Sequence, residues 1–206
     1  MPIQKQFSTP QLQAVFWRME AEEFKARKAE DLPPEMIPRL ELRKSPIHRQ
    51  GFWAVRACFQ ALEMDPNQIA YASDGAPLYP KAEVSISHAK SMALVARGKI
   101  PLGVDIEQYT EKIHHIQSRF LHQQESFAAS CTEKLVQIWT AKEALYKTLR
   151  IPGISFREQL CVAPFQEGDL YGEATFMNGT GRREFDLYYF YFNDYCASVA
   201  HERITS

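Results

Sequence analysis

Residues 102–107, Leu-Gly-Val-Asp-Ile-Glu, begin the second half of the chain and decide how the fold is interpreted. The alternation from Val104 to Glu107 predicts a β-strand with two apolar side chains on one face and two carboxylates on the other. A helical pattern follows over about 113–130, and a clearer one over 132–149. The end of the chain is rich in β-forming residues, which predicts strands over 160–162, 170–176, 185–192 and 196–200.

The first half shows a similar order of patterns. Apolar positions at Leu12, Val15, Phe16 and Met19 predict a helix over about 11–29. The remaining patterns predict a helix over 46–62 and strands over 69–73, 84–87 and 93–96. The sequence thus predicts an α+β fold of two similar halves, 1–101 and 102–206, each with helices packed on a small antiparallel sheet. We expect the halves to be related by a pseudo-twofold and to form one compact unit.

Composition restricts the class of protein. The chain has 206 residues, 45% of them hydrophobic, and a net charge of −1, so it is globular and gives no reason to expect a nucleic-acid partner. Its four cysteines are widely scattered and show no zinc-ligand spacing. No signal-peptide pattern opens the chain, and no apolar run approaches the roughly 20 residues of a membrane helix. We therefore expect a soluble, cytoplasmic protein.

Asp105 and Glu107 are the first candidate metal ligands. On one face of a strand they lie about 7 Å apart, and two carboxylates at that distance repel unless water or a cation separates them. A solvated strand edge explains the pair without any metal, and the pattern Asp-x-Glu is common. The pair alone therefore does not identify a site.

The helix over 132–149 supplies further candidates in Lys142, Glu143 and Lys147. At about 100° per residue, Lys142 falls in the middle of the apolar stripe, where an unpaired ammonium would cost several kcal/mol. Lys142 could extend past the apolar side chains to water, or it could have a functional partner. Glu143 and Lys147 could form a helix-stabilising pair worth about 0.3 kcal/mol. Alternatively, Glu143 completes a three-carboxylate site, which favours Mg²⁺ or Mn²⁺ over zinc, while both lysines meet phosphate oxygens.

A third feature is the segment 84–88, Val-Ser-Ile-Ser-His, which predicts a strand ending in Ser87 and His88. In the simpler interpretation Ser87 caps a turn and His88 is a surface residue. A histidine at a strand end beside basic residues can equally bind a phosphate.

Together these segments resemble the 4′-phosphopantetheinyl transferase superfamily, in particular its larger single-chain, surfactin-synthetase-activator-like type. The family's Gly-(Ile/Val)-Asp-(Ile/Val)-Glu strand is matched by 103–107. Its helix of pattern Trp/Phe-(Ser/Thr/Cys)-x-Lys-Glu-(Ala/Ser)-x-x-Lys is matched by 139–147. Its Ser-x-Ser-His and Arg-Phe-x-x-x-x-Glu segments are matched by 85–88 and 119–125. The resemblance extends over about residues 45–150, in the family's order.

The resemblance implies roles for the charged residues of the second half. It implies that Asp105, Glu107 and Glu143 are magnesium ligands, with the pyrophosphate of coenzyme A completing the coordination. It also implies catalytic roles for Glu143, Lys147 and Lys142, with the two lysines binding phosphates of the cofactor.

The resemblance implies cofactor-binding residues in the first half as well. Ser87 and His88 are similar to residues that hold the nucleotide phosphates, and Arg49 is similar to a residue that binds the 3′-phosphate. Many relatives carry a lysine where this chain has Ala76, and Lys81 is a candidate substitute for it.

The implied reaction transfers the 4′-phosphopantetheine group of coenzyme A to a serine of an apo acyl- or peptidyl-carrier protein and releases 3′,5′-ADP. Carriers of this kind are acidic, so Lys112 and Arg119 are candidate docking charges. Short family members build their site between subunits, so a chain of this length is expected to be a monomer with its site in a cleft between the halves. Two alternatives remain: a degenerate relative that binds carrier or coenzyme A without transfer, and a magnesium-dependent phosphohydrolase.

Overall fold

The computed structural model of the chain describes residues 3–20, 22–179 and 181–204. The contacts between Cα atoms divide the chain into two compact units, residues 1–100 and residues 101–206. Among the helices that the structure describes, none is long and apolar enough to cross a membrane.

The N-terminal unit contains an antiparallel sheet. Along the chain its strands are β1 (Ile3–Ser8), β2 (Leu12–Arg18), β3 (Ala70–Tyr71), β4 (Pro77–Leu78), β5 (Glu83–Ala89) and β6 (Met92–Gly98). In the described part of this unit the main sheet has the order β1-β2-β6-β5, and β3 pairs with β4. The pairs β1-β2 and β5-β6 are hairpins with short loops, so much of this sheet forms from local contacts.

A helix covers one face of this sheet. After the short helix α1 (Ile37–Glu41), helix α2 (Pro46–Ala61) begins behind Ser45, whose hydroxyl accepts a hydrogen bond from the His48 amide at 3.2 Å. α2 packs on β2, β5 and β6 and forms the core of the unit with them. The helix predicted over 46–62 is confirmed.

The helix predicted over 11–29 is wrong, because the described residues of this segment form strand β2 followed by irregular structure. The apolar spacing of Leu12, Val15 and Phe16 fits a helix, but Val15 and Phe16 are also strong strand formers. β2 lies between β1 and β6, and the residues from both of its faces are largely buried. A strand that is buried on both faces loses the alternating pattern that would have identified it.

The C-terminal unit has a larger antiparallel sheet. Its strands are β7 (Leu102–Gln108), β8 (Leu160–Val162), β9 (Tyr171–Asn178), β10 (Gly181–Phe192) and β11 (Tyr195–Glu202). In the described part of this unit the strand order is β7-β11-β10-β9-β8. Each of these strands overlaps a segment for which the sequence predicts a strand, and β9 begins one residue later than predicted, so the strand assignment of the second half is confirmed.

The helices of this unit are α3 (Ile113–Phe120), α4 (Thr132–Leu149) and α5 (Phe156–Gln159). α4 has the predicted bounds. The helix predicted over 113–130 is too long, because Leu121 is extended with ψ 115° and ends α3. A 3-10 turn follows over Gln123–Ala128, and its first amides are satisfied by side chains of His122 and Glu125.

Helix α4 lies on strands β7 and β11. The buried hydroxyl groups of Thr140 on α4 and Ser198 on β11 are hydrogen-bonded at 2.8 Å, which satisfies both groups inside the core. The α+β class with antiparallel sheets is therefore confirmed. The similarity of the two halves and their pseudo-twofold relation stay predictions.

Candidate active site

Gly103 determines how closely α4 approaches β7. A Cβ atom added at Gly103 would lie 1.9 Å from the carbonyl oxygen of Ala144 and 2.7 Å from Thr148 Oγ1, so no side chain fits between strand and helix here. Residues two and four positions further along a strand share its face. Asp105 and Glu107 therefore lie on the face of β7 that α4 covers.

Lys147 of α4 binds directly to this strand. Its Nζ donates to Asp105 Oδ1 at 2.7 Å and to the Val104 carbonyl oxygen at 2.9 Å. The Asp105 side chain is 7% exposed and the Lys147 side chain 30%, so the ion pair lies at the edge of the buried region. Helix α4 and strand β7 are thereby joined through Lys147 and Asp105, two of the candidate residues identified from the sequence.

The two glutamates of the cluster have raised pKa values. Burial, followed by the charge of Asp105, raises the pKa of Glu107 to about 7, although a hydrogen bond with Trp139 and the charge of Lys147 act in the opposite direction. Burial and then Asp105 also raise the pKa of Glu143, against the effect of Lys147. Glu143 contributes to the raised pKa of Glu107 as well. These interactions show that three carboxylates and one ammonium form a single electrostatic cluster, which we call the acidic cluster.

Within the described residues, no group of three or more His, Cys, Asp or Glu side chains has the arrangement of a metal site. The chemistry of the acidic cluster nevertheless fits a hard divalent ion, because its acidic members are all carboxylates, the ligand type that Mg²⁺ and Mn²⁺ prefer. The raised pKa values point the same way, since they report repulsion and desolvation that a bound cation would relieve.

Lys142 does not join the acidic cluster. Its side chain is 0% exposed, and its Nζ lies 2.7 Å from Glu125 Oε2, 2.6 Å from the Phe120 carbonyl oxygen and 2.9 Å from the Phe156 carbonyl oxygen. The possibility that Lys142 extends to water is therefore wrong. This burial does not support a direct contact with phosphate, so the role that the resemblance implies for Lys142 stays a prediction.

Glu125 is the residue whose role the sequence does not reveal. Its side chain is 0% exposed, and besides Lys142 it accepts hydrogen bonds from the amides of His122 and Val162, each at 2.7 Å. The segment 119–125 resembles a family motif, but its glutamate has no evident partner in the sequence. The sequence feature that could have indicated a role for Glu125 is Lys142 on the apolar stripe, because a buried lysine needs an anion as its partner.

The predicted cofactor residues of the first half all belong to the N-terminal unit. Arg49 is exposed on α2, while Ser87 is partly buried and His88 exposed near the end of β5. A Cβ atom added at Gly51 would lie 3.5 Å from the imidazole of His88, so the helical turn that carries Arg49 and Gly51 is next to His88. The structure thus brings Arg49 and His88 into one region of this unit.

Comparison with known proteins agrees with the site. Residues 101–200 match the family model of the 4′-phosphopantetheinyl transferase superfamily. A search among curated proteins finds no match. The matched segment contains the whole acidic cluster, the Lys142–Glu125 pair and the glycine that brings α4 onto β7. The resemblance to the 4′-phosphopantetheinyl transferase superfamily is therefore confirmed for the C-terminal unit of the chain.

Proposed function

We propose that the chain transfers the 4′-phosphopantetheine group of coenzyme A to a serine of an apo acyl- or peptidyl-carrier protein, with Mg²⁺ as the metal and 3′,5′-ADP as the second product. The observation that carries the proposal is the acidic cluster, in which Asp105, Glu107, Glu143 and Lys147 interact within the segment that matches the superfamily.

Asp105, Glu107 and Glu143 would hold the metal. When bound, Mg²⁺ supplies charge that neutralises the pyrophosphate oxygens as negative charge grows in the transition state. Lys147 is the cation of the cluster and is partly exposed, so it can exchange its contact with Asp105 for a phosphate oxygen. An ammonium that is already anchored to the Val104 carbonyl needs little reorganisation to make that contact.

Glu143 is the candidate general base. Its partial exposure leaves its carboxylate accessible to a substrate. The serine oxygen of the carrier attacks the phosphorus that bears pantetheine and forms the new phosphodiester bond. The bond from that phosphorus to the bridging oxygen breaks, the electron pair leaves with 3′,5′-ADP, and the serine proton passes to Glu143 directly or through water.

Arg49, Ser87 and His88 are proposed to bind phosphates of coenzyme A. The proximity of His88 to the helical turn of Arg49 supports this, because an imidazole and a guanidinium in one region of a surface can share a phosphate. The burial of Lys142 argues for omitting it from the groups that touch the cofactor.

The test is loading of apo-carrier proteins from coenzyme A and Mg²⁺, followed by the mass increase of the carrier. Asp105→Ala and Glu143→Ala are expected to lower the transfer rate by about a hundredfold to a thousandfold, a typical loss for a group that stabilises the transition state directly. Glu133→Ala is the matched control, because Glu133 is an exposed carboxylate on the same helix. Near wild-type transfer by either cluster variant would refute the assignment.

A relative that binds coenzyme A or carrier without transfer is the second candidate. Ala76, at the position of a family lysine, favours it. Binding of coenzyme A by calorimetry, with no mass increase on any of a panel of apo-carriers, would select this alternative.

A further inference from the structure

The ammonium of Lys142 has all of its hydrogen atoms engaged. An ammonium donates three hydrogen bonds, and Lys142 has three acceptors within 2.9 Å: Glu125 Oε2 and the carbonyl oxygens of Phe120 and Phe156. Glu125 in turn accepts from backbone amides on both sides, at His122 and Val162. The pair is thus the centre of a closed network rather than a charge that awaits a ligand.

This network fixes two backbone segments that carry aromatic rings. Phe120 ends α3 and Phe156 begins α5, so Lys142 ties both elements to α4. The rings of the same two residues contact Trp139, with centroid distances of 5.2 Å for Phe120 and 5.7 Å for Phe156. Trp139 precedes Lys142 by one helical turn, and its indole is held between the two segments that Lys142 anchors.

Trp139 links this aromatic group to the acidic cluster. Trp139 and Glu143 are four residues apart on α4 and so lie on the same side of the helix, and the indole lies close enough to Glu107 to lower the pKa of that carboxyl group. A rotation of the indole would therefore change the surroundings of the carboxylates in the acidic cluster. The contacts run continuously from the buried ion pair through the two phenylalanines to Trp139.

We propose that Lys142 and Glu125 are positioning residues: through the backbone of Phe120 and Phe156 they hold the indole of Trp139 in its place beside the acidic cluster. Neither side chain touches the cofactor. The inference rests on the proposed function only where activity is measured, because the orientation of Trp139 can be observed without any reaction.

The experiment follows Trp139 by fluorine NMR in protein labelled with 5-fluorotryptophan. The chain has three tryptophans, so Trp139→Phe assigns the resonance of Trp139. The main variant is Lys142→Met with Glu125→Gln, which removes both charges together and avoids leaving one of them buried and unpaired. Lys134→Met is the matched control, since it makes the same change on α4 away from the network. Glu125→Gln alone is measured in parallel, as a variant that keeps the shape of the side chain.

The inference predicts that the Trp139 resonance moves by more than its linewidth in the charge-free pair variant and in Glu125→Gln, and stays in place in Lys134→Met. The kcat of carrier loading should fall by about tenfold or more, with less effect on KM for coenzyme A, because misplacing a group at the reacting centre by about 1 Å can cost about a hundredfold in rate. A variant that is less stable but keeps both the resonance and kcat would show a merely structural pair and overturn the inference.

Failure of the proposed function gives a different result. A wild-type protein that loads no carrier removes the activity readout but leaves the Trp139 resonance as the deciding measurement. A resonance that is the same in the wild type and in both network variants overturns the inference, whether or not the protein is a transferase.

Discussion

Helix α4 contributes to two groups of charged side chains, and the two groups differ in how well their positive and negative charges cancel. On one side, Lys142 meets a single carboxylate, Glu125, and both side chains are completely buried with several hydrogen bonds each. On the other side, Lys147 faces the three carboxylates of the acidic cluster, in which burial and mutual repulsion raise the pKa values of Glu107 and Glu143.

The difference separates a pair that holds the backbone in place from a cluster that can take a ligand. A buried pair whose donors and acceptors are all engaged has nothing further to gain from a ligand. A cluster with an excess of carboxylates is held together against repulsion by the rest of the fold, and a divalent cation with phosphate would relieve that repulsion. Groups that violate the usual rules of charge balance are expected at sites of function.

Gly103→Ala should have the broadest effect, because it disturbs the contact of α4 and β7 on which both groups depend. The added methyl group would lie 1.9 Å from a backbone oxygen of α4, and the helix must move away to accommodate it. We expect a loss of about 3 kcal/mol or more in the free energy of unfolding, measured by urea denaturation. Gly179→Ala is the control, since a Cβ there meets nothing within 4 Å, and it should change stability by less than about 0.5 kcal/mol. Equal effects of the two substitutions would contradict the close packing.

Two double-mutant cycles, one for Lys142 with Glu125 and one for Lys147 with Asp105, should give different coupling energies for the two ion pairs. Lys142→Met alone leaves Glu125 buried and unpaired, and we expect it to cost about 3–5 kcal/mol, much of which Glu125→Gln in the same chain restores. Lys147→Met is expected to couple to Asp105→Asn by only about 1 kcal/mol, since Lys147 is 30% exposed and solvent screens the pair. The quantity to compare is the coupling energy from chemical denaturation, and a larger coupling for Lys147 would reverse the comparison.

Glu107→Gln should stabilise the metal-free protein, and the gain should depend on pH. The pKa of Glu107 rises from its ordinary value of 4.5 to about 7 in the folded protein. An acid with a raised pKa destabilises the fold when ionised, so the penalty is absent below about pH 4.5 and fully present above about pH 7. Because the side chain is partly exposed, we expect a gain of about 1 kcal/mol at pH 8 that disappears toward pH 4.5.

Thermal unfolding of Glu107→Gln and the wild type across this pH range provides the measurement. Transfer activity should fall in the same variant, since it removes a carboxylate of the cluster. A variant that is less stable than the wild type at pH 8 would mean that Glu107 is not under strain in the fold.

Local patterns predicted the second half of the fold better than the first. Helix α4 has strong helix formers, so its bounds could be inferred from sequence. The expectation that its charged residues lie next to those of β7 rests on the family resemblance and not on periodicity. The sequence of β2 favours a helix because the strand is buried on both faces and lacks the alternating pattern. That burial depends on the neighbours of β2 in the sheet. A pattern read along the chain does not contain that information.

The candidate site shows the same limit. The sequence shows that Lys142 is misplaced on an apolar stripe, but its partner Glu125 is 17 residues away and is brought to it only by the turn after α3. Lys147 differs from Lys142 mainly in its position on the helix, and that position gives it a different partner and a partial exposure. Tertiary contacts therefore decide which of two neighbouring lysines is available to a ligand.

Binding of a divalent ion to the acidic cluster is the central claim, and electron paramagnetic resonance of Mn²⁺ tests it most directly. With coenzyme A present, the wild-type protein should bind one Mn²⁺ that Mg²⁺ displaces, and Asp105→Asn and Glu143→Gln should each weaken binding by about tenfold or more, while Glu133→Gln should not. A wild-type protein that binds no Mn²⁺ under these conditions, or cluster variants that bind it as tightly as the wild type, would contradict the account.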